Sequence, residues 1–186
     1  MSDPVSVMPV SVMKGAMSQG FATVRDTGPR GMITLRGKGE TLSAFARVMG
    51  VALPDTLGVS QGEGAALAWM SPDELMVICD YDAAPGLAAQ LSASVEGQHA
   101  LVAVVSDARS IFAVEGKLAG DVLAKVSPAE VGAVAPGQIR RTRFAQVAGA
   151  FWPTEAGFAA MCFRSQSVYV FGLLTNAAKQ GSELKL

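Results

Sequence analysis

His99 is the only histidine in the chain, so any Ser-His-Asp, Cys-His or multi-histidine metal arrangement would have to be built around that one ring. Its neighbours Gly97 and Gln98, and the apolar run after it, place it at the opening of a strand. Cys79 and Cys162 lie inside apolar, strand-like segments with no sequence neighbour that would make a reactive thiolate, although Arg164 can approach in space. Both read as inert buried thiols of a reducing compartment rather than as a disulfide. Gly37-Lys38-Gly39 and Gln61-Gly62-Glu63-Gly64 suggest phosphate loops, but neither has the spacing. A dinucleotide fingerprint needs a third glycine where Leu42 stands, and a Walker loop needs Gly-Lys-Ser/Thr after a fixed interval. These glycines are expected to turn the chain.

Arg140, Arg141 and Arg143 form the one basic cluster. On a strand Arg141 and Arg143 share a face and Arg140 takes the other, so a joint phosphate grip is not expected, whereas guanidinium forks suit carboxylates across an interface. Asp73-Glu74, Asp80 and Asp82 read as turn acids, with no pair spaced for general acid and base work. No catalytic, cofactor-binding or metal-ligating residue is assigned from the residues themselves.

The elements that carry these groups appear once the halves of the chain are compared. Met32 to Arg36 alternates, ends at Gly37-Lys38 and leads into an amphipathic stretch from Glu40 to Met49. Ile111 to Glu115 alternates, ends at Gly116-Lys117 and leads into Leu118 to Val126. Trp69 stands ten positions before Cys79, and Trp152 ten before Cys162, with turn residues between in both cases: Ser71-Pro72-Asp73-Glu74 and Pro153-Thr154-Glu155-Ala156-Gly157. Each reads as a hairpin. Helical spacing follows, in Leu87, Leu91 and Val95 and again in Val168, Phe171, Leu174 and Ala178. Pro85 fits the first turn of the earlier helix.

The expected fold is α+β: two pseudo-repeated βαββα units of split βαβ, ferredoxin-like type, over about 31–105 and 106–180, with His99 to Val105 as a joining strand. Gly137 to Ala150 is expected to be one long strand bent or bulged near Gly149. Residues 1–20, with Met1, Met8, Met13 and Met17, are set apart as an N-terminal arm, and 181–186 as a tail around the globular 21–180.

Composition narrows the function classes. Lys and Arg number 15 against 16 Asp and Glu, without the basic excess that draws nucleic acid or anionic lipid. Half the residues are hydrophobic and 17% are charged, below the roughly 25% of ordinary soluble domains. No apolar run reaches the roughly 18 residues of a membrane span, and the N-terminus does not read as a signal peptide. A cytoplasmic chain with a well-filled core and an apolar surface covered by another polypeptide is expected.

The segments that carry the repeat also carry a family likeness. AWMSPDELMVICD, Ala68 to Asp80, resembles the W-L-G-P-D-E-W-L-L hairpin of sarcosine oxidase gamma subunits and of related aminomethyltransferase-type folate-binding proteins. VSDARSIFAVEGKLAGDVLAKVSPAEV, Val105 to Val131, is similar to their D-x-S-x-x-R…G-x-x-A-x-x-x-L-x-K-x-x-P-x-D-L segment, and Pro136 to Trp152 and Gly157 to Leu174 resemble those that follow. Met70-Ser71 departs from Leu-Gly, and Glu130 from the usual Asp. The likeness covers roughly 31–178.

It implies the fold of the folate-binding domain of aminomethyltransferases, and a non-catalytic structural subunit of heterotetrameric sarcosine oxidase. Alpha, beta and delta subunits are the implied partners, with FAD, FMN, NAD and tetrahydrofolate held in them and none in this chain. Folate-processing relatives carry a Gly-Gly-x-x-Asp-Asp turn, and Pro153 to Gly157 has no Asp, which argues against independent one-carbon transfer. The competing expectation is a stand-alone folate-binding or aminomethyl-transfer protein with its pocket between the repeats, where Arg164 or Glu155 meets the folate. A homodimer of the isolated chain is the further arrangement that an uncovered apolar patch allows.

Overall fold

A computed structural model describes residues 9–184. The chain forms β1 (Met17–Gln19), β2 (Thr23–Asp26), β3 (Gly31–Arg36), α1 (Glu40–Val48), β4 (Val59–Gln61), β5 (Ala65–Ser71), β6 (Glu74–Cys79), α2 (Ala84–Ala93), β7 (Leu101–Val104), β8 (Arg109–Glu115), α3 (Ala119–Val126), β9 (Arg140–Phe144), β10 (Val147–Thr154), β11 (Gly157–Phe163) and α4 (Ser167–Ala177). Two antiparallel sheets result, ordered β4-β5-β6-β3-β7 and β1-β2-β8-β11-β10-β9.

Three apolar clusters show the layering. Ile33, Leu35, Leu75, Val77 and Cys79 of the five-stranded sheet pack under Phe45 of α1 and Leu91 of α2. Phe112, Val114, Phe151, Ala160 and Cys162 of the six-stranded sheet pack under Val122 and Leu123 of α3 and Val170 and Leu174 of α4. Met32, Met70, Met76, Ile111 and Met161 meet between the two sheets. Helices, sheet, sheet, helices is the resulting order, and each sheet is buried on both faces. The central strands therefore lack a solvent face; every residue of β6 except Ile78 is buried. Composition suggested a well-filled core beside an apolar surface covered by another chain; this seam and the two helix-covered cores are that core.

Three expectations about local structure need correction. The segment from Gly137 to Ala150 is not one bulged strand: β9 and β10 form a hairpin, with Phe144 opposite Val147. Ala145, the first turn residue, holds φ 50, a place where glycine is the usual choice, so no turn residue announces the hairpin. Gly149 pairs regularly with Thr142 and Cys162, and it is glycine because a Cβ would lie 2.5 Å from the Phe144 ring. His99 does not open β7; it sits in the bend before Leu101, because the turn at Gly97, with φ 76, delays the strand. Val168 does not lie on the buried face of α4. That face is Ser167, Val170, Leu174 and Ala177, and Val168 is exposed.

The two tryptophans share their spacing to cysteine but not their orientation. A bulge between Trp69 and Ser71 shifts the register of β5, so Trp69 faces the helices while Trp152 faces the seam. The second hairpin has no such shift.

Of the methionines of the expected arm, Met1 and Met8 lie outside the described residues, and Met17 begins the edge strand β1. Asp26 fixes this region. Its buried carboxylate accepts hydrogen bonds from the Ser11 hydroxyl, the Gly15 N–H at 3.0 Å and the Gly28 N–H at 3.2 Å. Hydrogen bonds to a charged group contribute about 1.5–3 kcal/mol each, so Asp26→Ala is expected to release residues 11–19, β1 included, while the other strands of both sheets stay paired. Limited proteolysis reads this as new cleavage before Phe21; unchanged resistance there would contradict it.

Candidate functional site

A groove of about 640 Å³ opens between the sheets. Val59, Ile78, Ile111, Ile139 and Trp152 give it an apolar lining, and Arg25, Thr27, Arg30 and Asp80 supply its polar groups. Carboxylates and the backbone of the same chain engage these polar groups. The Arg25 guanidinium meets Glu115 at 2.6 Å, Arg30 meets Asp80 at 3.3 Å, and the Thr27 hydroxyl donates to the Ile111 carbonyl at 2.9 Å. Such a groove can hold an amphipathic molecule; neither His99 nor a thiol lines it.

The groove residues were missed from sequence for a simple reason. Arg25 lies on β2 and Arg30 just beyond it, both before the first repeat, and Glu115 is 90 positions from Arg25. The glycines at 61–64 do turn the chain, between β4 and β5, and Gln61, Gly62 and Gly64 line the groove. Arg164 and Glu155, the residues expected to meet a folate, do not. Arg164 sits in the 3-10 turn just before α4, 3.9 Å from Asp107 and donating to the Val10 carbonyl at 3.0 Å, and Glu155 lies exposed in the turn between β10 and β11.

A second polar cluster lies around the β5–β6 turn. Glu74, buried in the sheet, accepts from Arg36 at 2.9 Å, and Arg141 approaches it at 4.0 Å while donating to the Met70 carbonyl at 3.0 Å. Arg141 thus ties one sheet to the other, a carboxylate-facing role that its fork suits. Arg140 and Arg143 are exposed on the same edge strand. The Ser71 hydroxyl, 2.7 Å away, holds the half-exposed Asp73 carboxyl below its usual range. Burial pulls the Arg109 guanidinium down, with Glu74 opposing, and its Nε has no hydrogen-bond partner among the described residues. It stacks on Phe163 at 4.9 Å. Arg109 too went unmarked in the sequence.

His99 shares a surface basin of about 510 Å³ with Arg36, Lys38, Thr41, Asp73 and Leu101. Among the described residues no group of three His, Cys, Asp or Glu side chains converges to hold a metal ion, and no helix is long and apolar enough to cross a membrane.

Both cysteines are buried and unpaired. Burial raises the Cys79 thiol and pushes Cys162 up to about 11, with Ser167 and Arg109 pulling weakly the other way. At neutral pH both are protonated and poorly nucleophilic. The linkage has a definite sign. Because the folded pKa of Cys162 lies above its unfolded value, its contribution is fully present below about pH 9 and is lost as pH rises toward 11. A shift of this size is worth on the order of 2 kcal/mol. Denaturation of the chain and of Cys162→Ala across that window is expected to show the gap between them narrowing with pH; a constant gap would contradict it.

No family model matches the chain. Curated relatives do. The sarcosine oxidase gamma subunit of Arthrobacter sp. is 35% identical over 91 residues, 48% of this chain and 44% of the relative. That of Corynebacterium sp. strain P-1 is 36% identical over the same shares. The match spans less than half the length of these relatives. Among solved structures, a chain of heterotetrameric sarcosine oxidase from Corynebacterium sp. U-96, in complex with pyrrole 2-carboxylate, superposes with a TM-score of 0.79 at 24% identity, covering 87% of both chains. The glycine cleavage system aminomethyltransferase T of Bartonella henselae gives 0.63 at 15% identity, over 83% of this chain and 46% of that one. The resemblance carried by the sequence motifs is thus shown: the homologues are gamma subunits, and the mixed α+β fold with two antiparallel sheets is one this chain shares with sarcosine oxidase and aminomethyltransferase T.

Proposed function

We propose that this chain is the gamma subunit of a heterotetrameric sarcosine oxidase, a structural and non-catalytic member that completes an assembly with alpha, beta and delta subunits. FAD, FMN, NAD and tetrahydrofolate belong to the partners in this reading. The assembly oxidises sarcosine with oxygen and, in the presence of tetrahydrofolate, yields glycine, hydrogen peroxide and methylenetetrahydrofolate in the cytoplasm. The observation that carries the proposal is the identity to gamma subunits joined to a whole-fold likeness with a chain of that oxidase. Support also comes from the groove, whose arginines are occupied by carboxylates of the same chain.

The halves over about 31–105 and 106–180 are, in the same reading, copies of one βαββα unit. In support, β6 lies between β3 and β5 in one sheet as β11 lies between β8 and β10 in the other. Each copy has the 4-1-3-2 strand order of a split βαβ unit, the fourth strand being β7 in the first copy and β2, from before the repeat, in the second.

The purified chain is expected to lack visible flavin absorbance and to release no peroxide from sarcosine. Turnover by the lone chain, or a bound flavin spectrum, would overturn the assignment.

A further inference from the structure

The two sheets differ at one edge. In the six-stranded sheet β2 pairs with β8 and is itself covered by β1, so that Val24 lies between Val114 and Ser18, and the Asp26 N–H donates to the Ala16 carbonyl at 2.9 Å. In the five-stranded sheet β7 holds the matching place beside β3, with Val102 opposite Leu35 and Val104 opposite Ile33. Among the described residues no strand covers β7.

The bare edge is fitted for pairing. The Val105 N–H donates to the Met32 carbonyl at 2.8 Å, and antiparallel ladders alternate. Residues 101, 103 and 105 therefore point their backbone groups at β3, while Val102 and Val104 point theirs outward. Exposed edges are normally blunted by charge, proline or a bulge. Leu101-Val102-Ala103-Val104 has none of these, and Leu101 and Val104 are each 47% exposed. At the entrance of the strand the basin brings Lys38 and His99 beside Leu101. Asp73, the basin's own carboxylate, stands 4.0 Å from Arg36 and is influenced less by Lys38; Arg36 is also held by Glu74, and Lys38 forms no ion pair within 4.0 Å among the described residues, which leaves Lys38 and the His99 ring as donors for a second carboxylate.

We propose that the outer edge of β7 receives an extended apolar segment of a partner chain as a sixth strand, and that this segment carries an acidic residue where it passes Lys38 and His99. The proposal rests on the reading of the chain as an assembly subunit and names the contact through which it assembles. Outward N–H and C=O groups of Val102 and Val104 supply the ladder, the exposed side chains of Leu101 and Val104 an apolar contact on each face of the strand, and the basin sets direction and register.

Hydrogen exchange on the full chain, alone and co-purified with the alpha, beta and delta subunits of a sarcosine oxidase, tests this. Amides of Val102 and Val104 are expected to exchange at least about tenfold more slowly in the assembly. Val104→Pro, which deletes an outward donor without touching the β3 ladder, is expected to weaken assembly about tenfold or more, and Val104→Thr to preserve it. Lys38→Glu is expected to weaken assembly most at low salt. An assembly that forms with these amides unprotected and tolerates Val104→Pro overturns the β7 contact and leaves the subunit reading standing. No assembly at all removes both. Protection that grows with concentration of the lone chain would assign the edge to a second copy and overturn the partner contact.

Discussion

Phe112→Ala is expected to destabilise the chain by about 3–5 kcal/mol. Phe112 is fully buried at the middle of β8, the central strand that joins β2 to β11, and its ring lies 5.6 Å from that of Phe171 on α4. Truncation removes the transfer free energy of a ring and leaves a hole that neither neighbour can close, because the strand is hydrogen-bonded on both sides. Against a typical total of about 5–15 kcal/mol this is a large fraction, and thermal midpoints in a chain of this size fall by roughly 2–4 °C per kcal/mol. Phe112→Leu keeps most of the volume and is expected to cost much less. Equilibrium denaturation of the three proteins decides it, and a loss near zero for Phe112→Ala would mean that α4 does not pack on this sheet.

Met76→Lys is expected to prevent folding or to cost several kcal/mol. Met76 is fully buried on the seam side of β6, among Met32, Met70 and Met161. An ammonium there has no partner placed for it and leaves water on entering. The thioethers are adaptable fillers between two facing sheets, so Met76→Leu, similar in volume, is expected to cost under about 1.5 kcal/mol. A lysine variant as stable as the leucine one would show that water reaches the seam and that the sheets do not pack face to face.

The order β3-α1-β5-β6-α2 and β8-α3-β10-β11-α4 was legible because each of these elements left its own signal. Pro72-Asp73 and Glu155-Ala156 do lie at the hairpin turns, Pro85 does lie in the first turn of α2, and the Gly37 and Gly116 corners do lead into helices. Structure that depends on partners distant in sequence left no such mark. β4 has only three residues, and the β9–β10 turn at Ala145 uses a residue type that does not announce turns. Two units that each leave a sheet face unburied are expected to pack against each other, and they do; which residues fill the seam was not legible, because strands buried on both faces read as continuous apolar runs. Helical spacing on α4 was seen, and Phe171, Leu174 and Ala178 do meet the core, but Val168 was placed on that face where Ser167 and Val170 stand, since α4 is apolar nearly all round and periodicity alone cannot choose its face. A pocket between the repeats was expected, but its polar lining was beyond reach, since Arg25 and Arg30 come from before the repeat and meet their carboxylates only after folding.

The decisive measurement is co-expression of this chain with sarcosine oxidase alpha, beta and delta subunits, followed by size-exclusion chromatography with light scattering and a sarcosine assay on each fraction. Equimolar co-elution of all four chains, with turnover confined to that peak, is expected. Elution of this chain by itself, beside a fully active complex of the other three, would contradict its role as an assembly subunit.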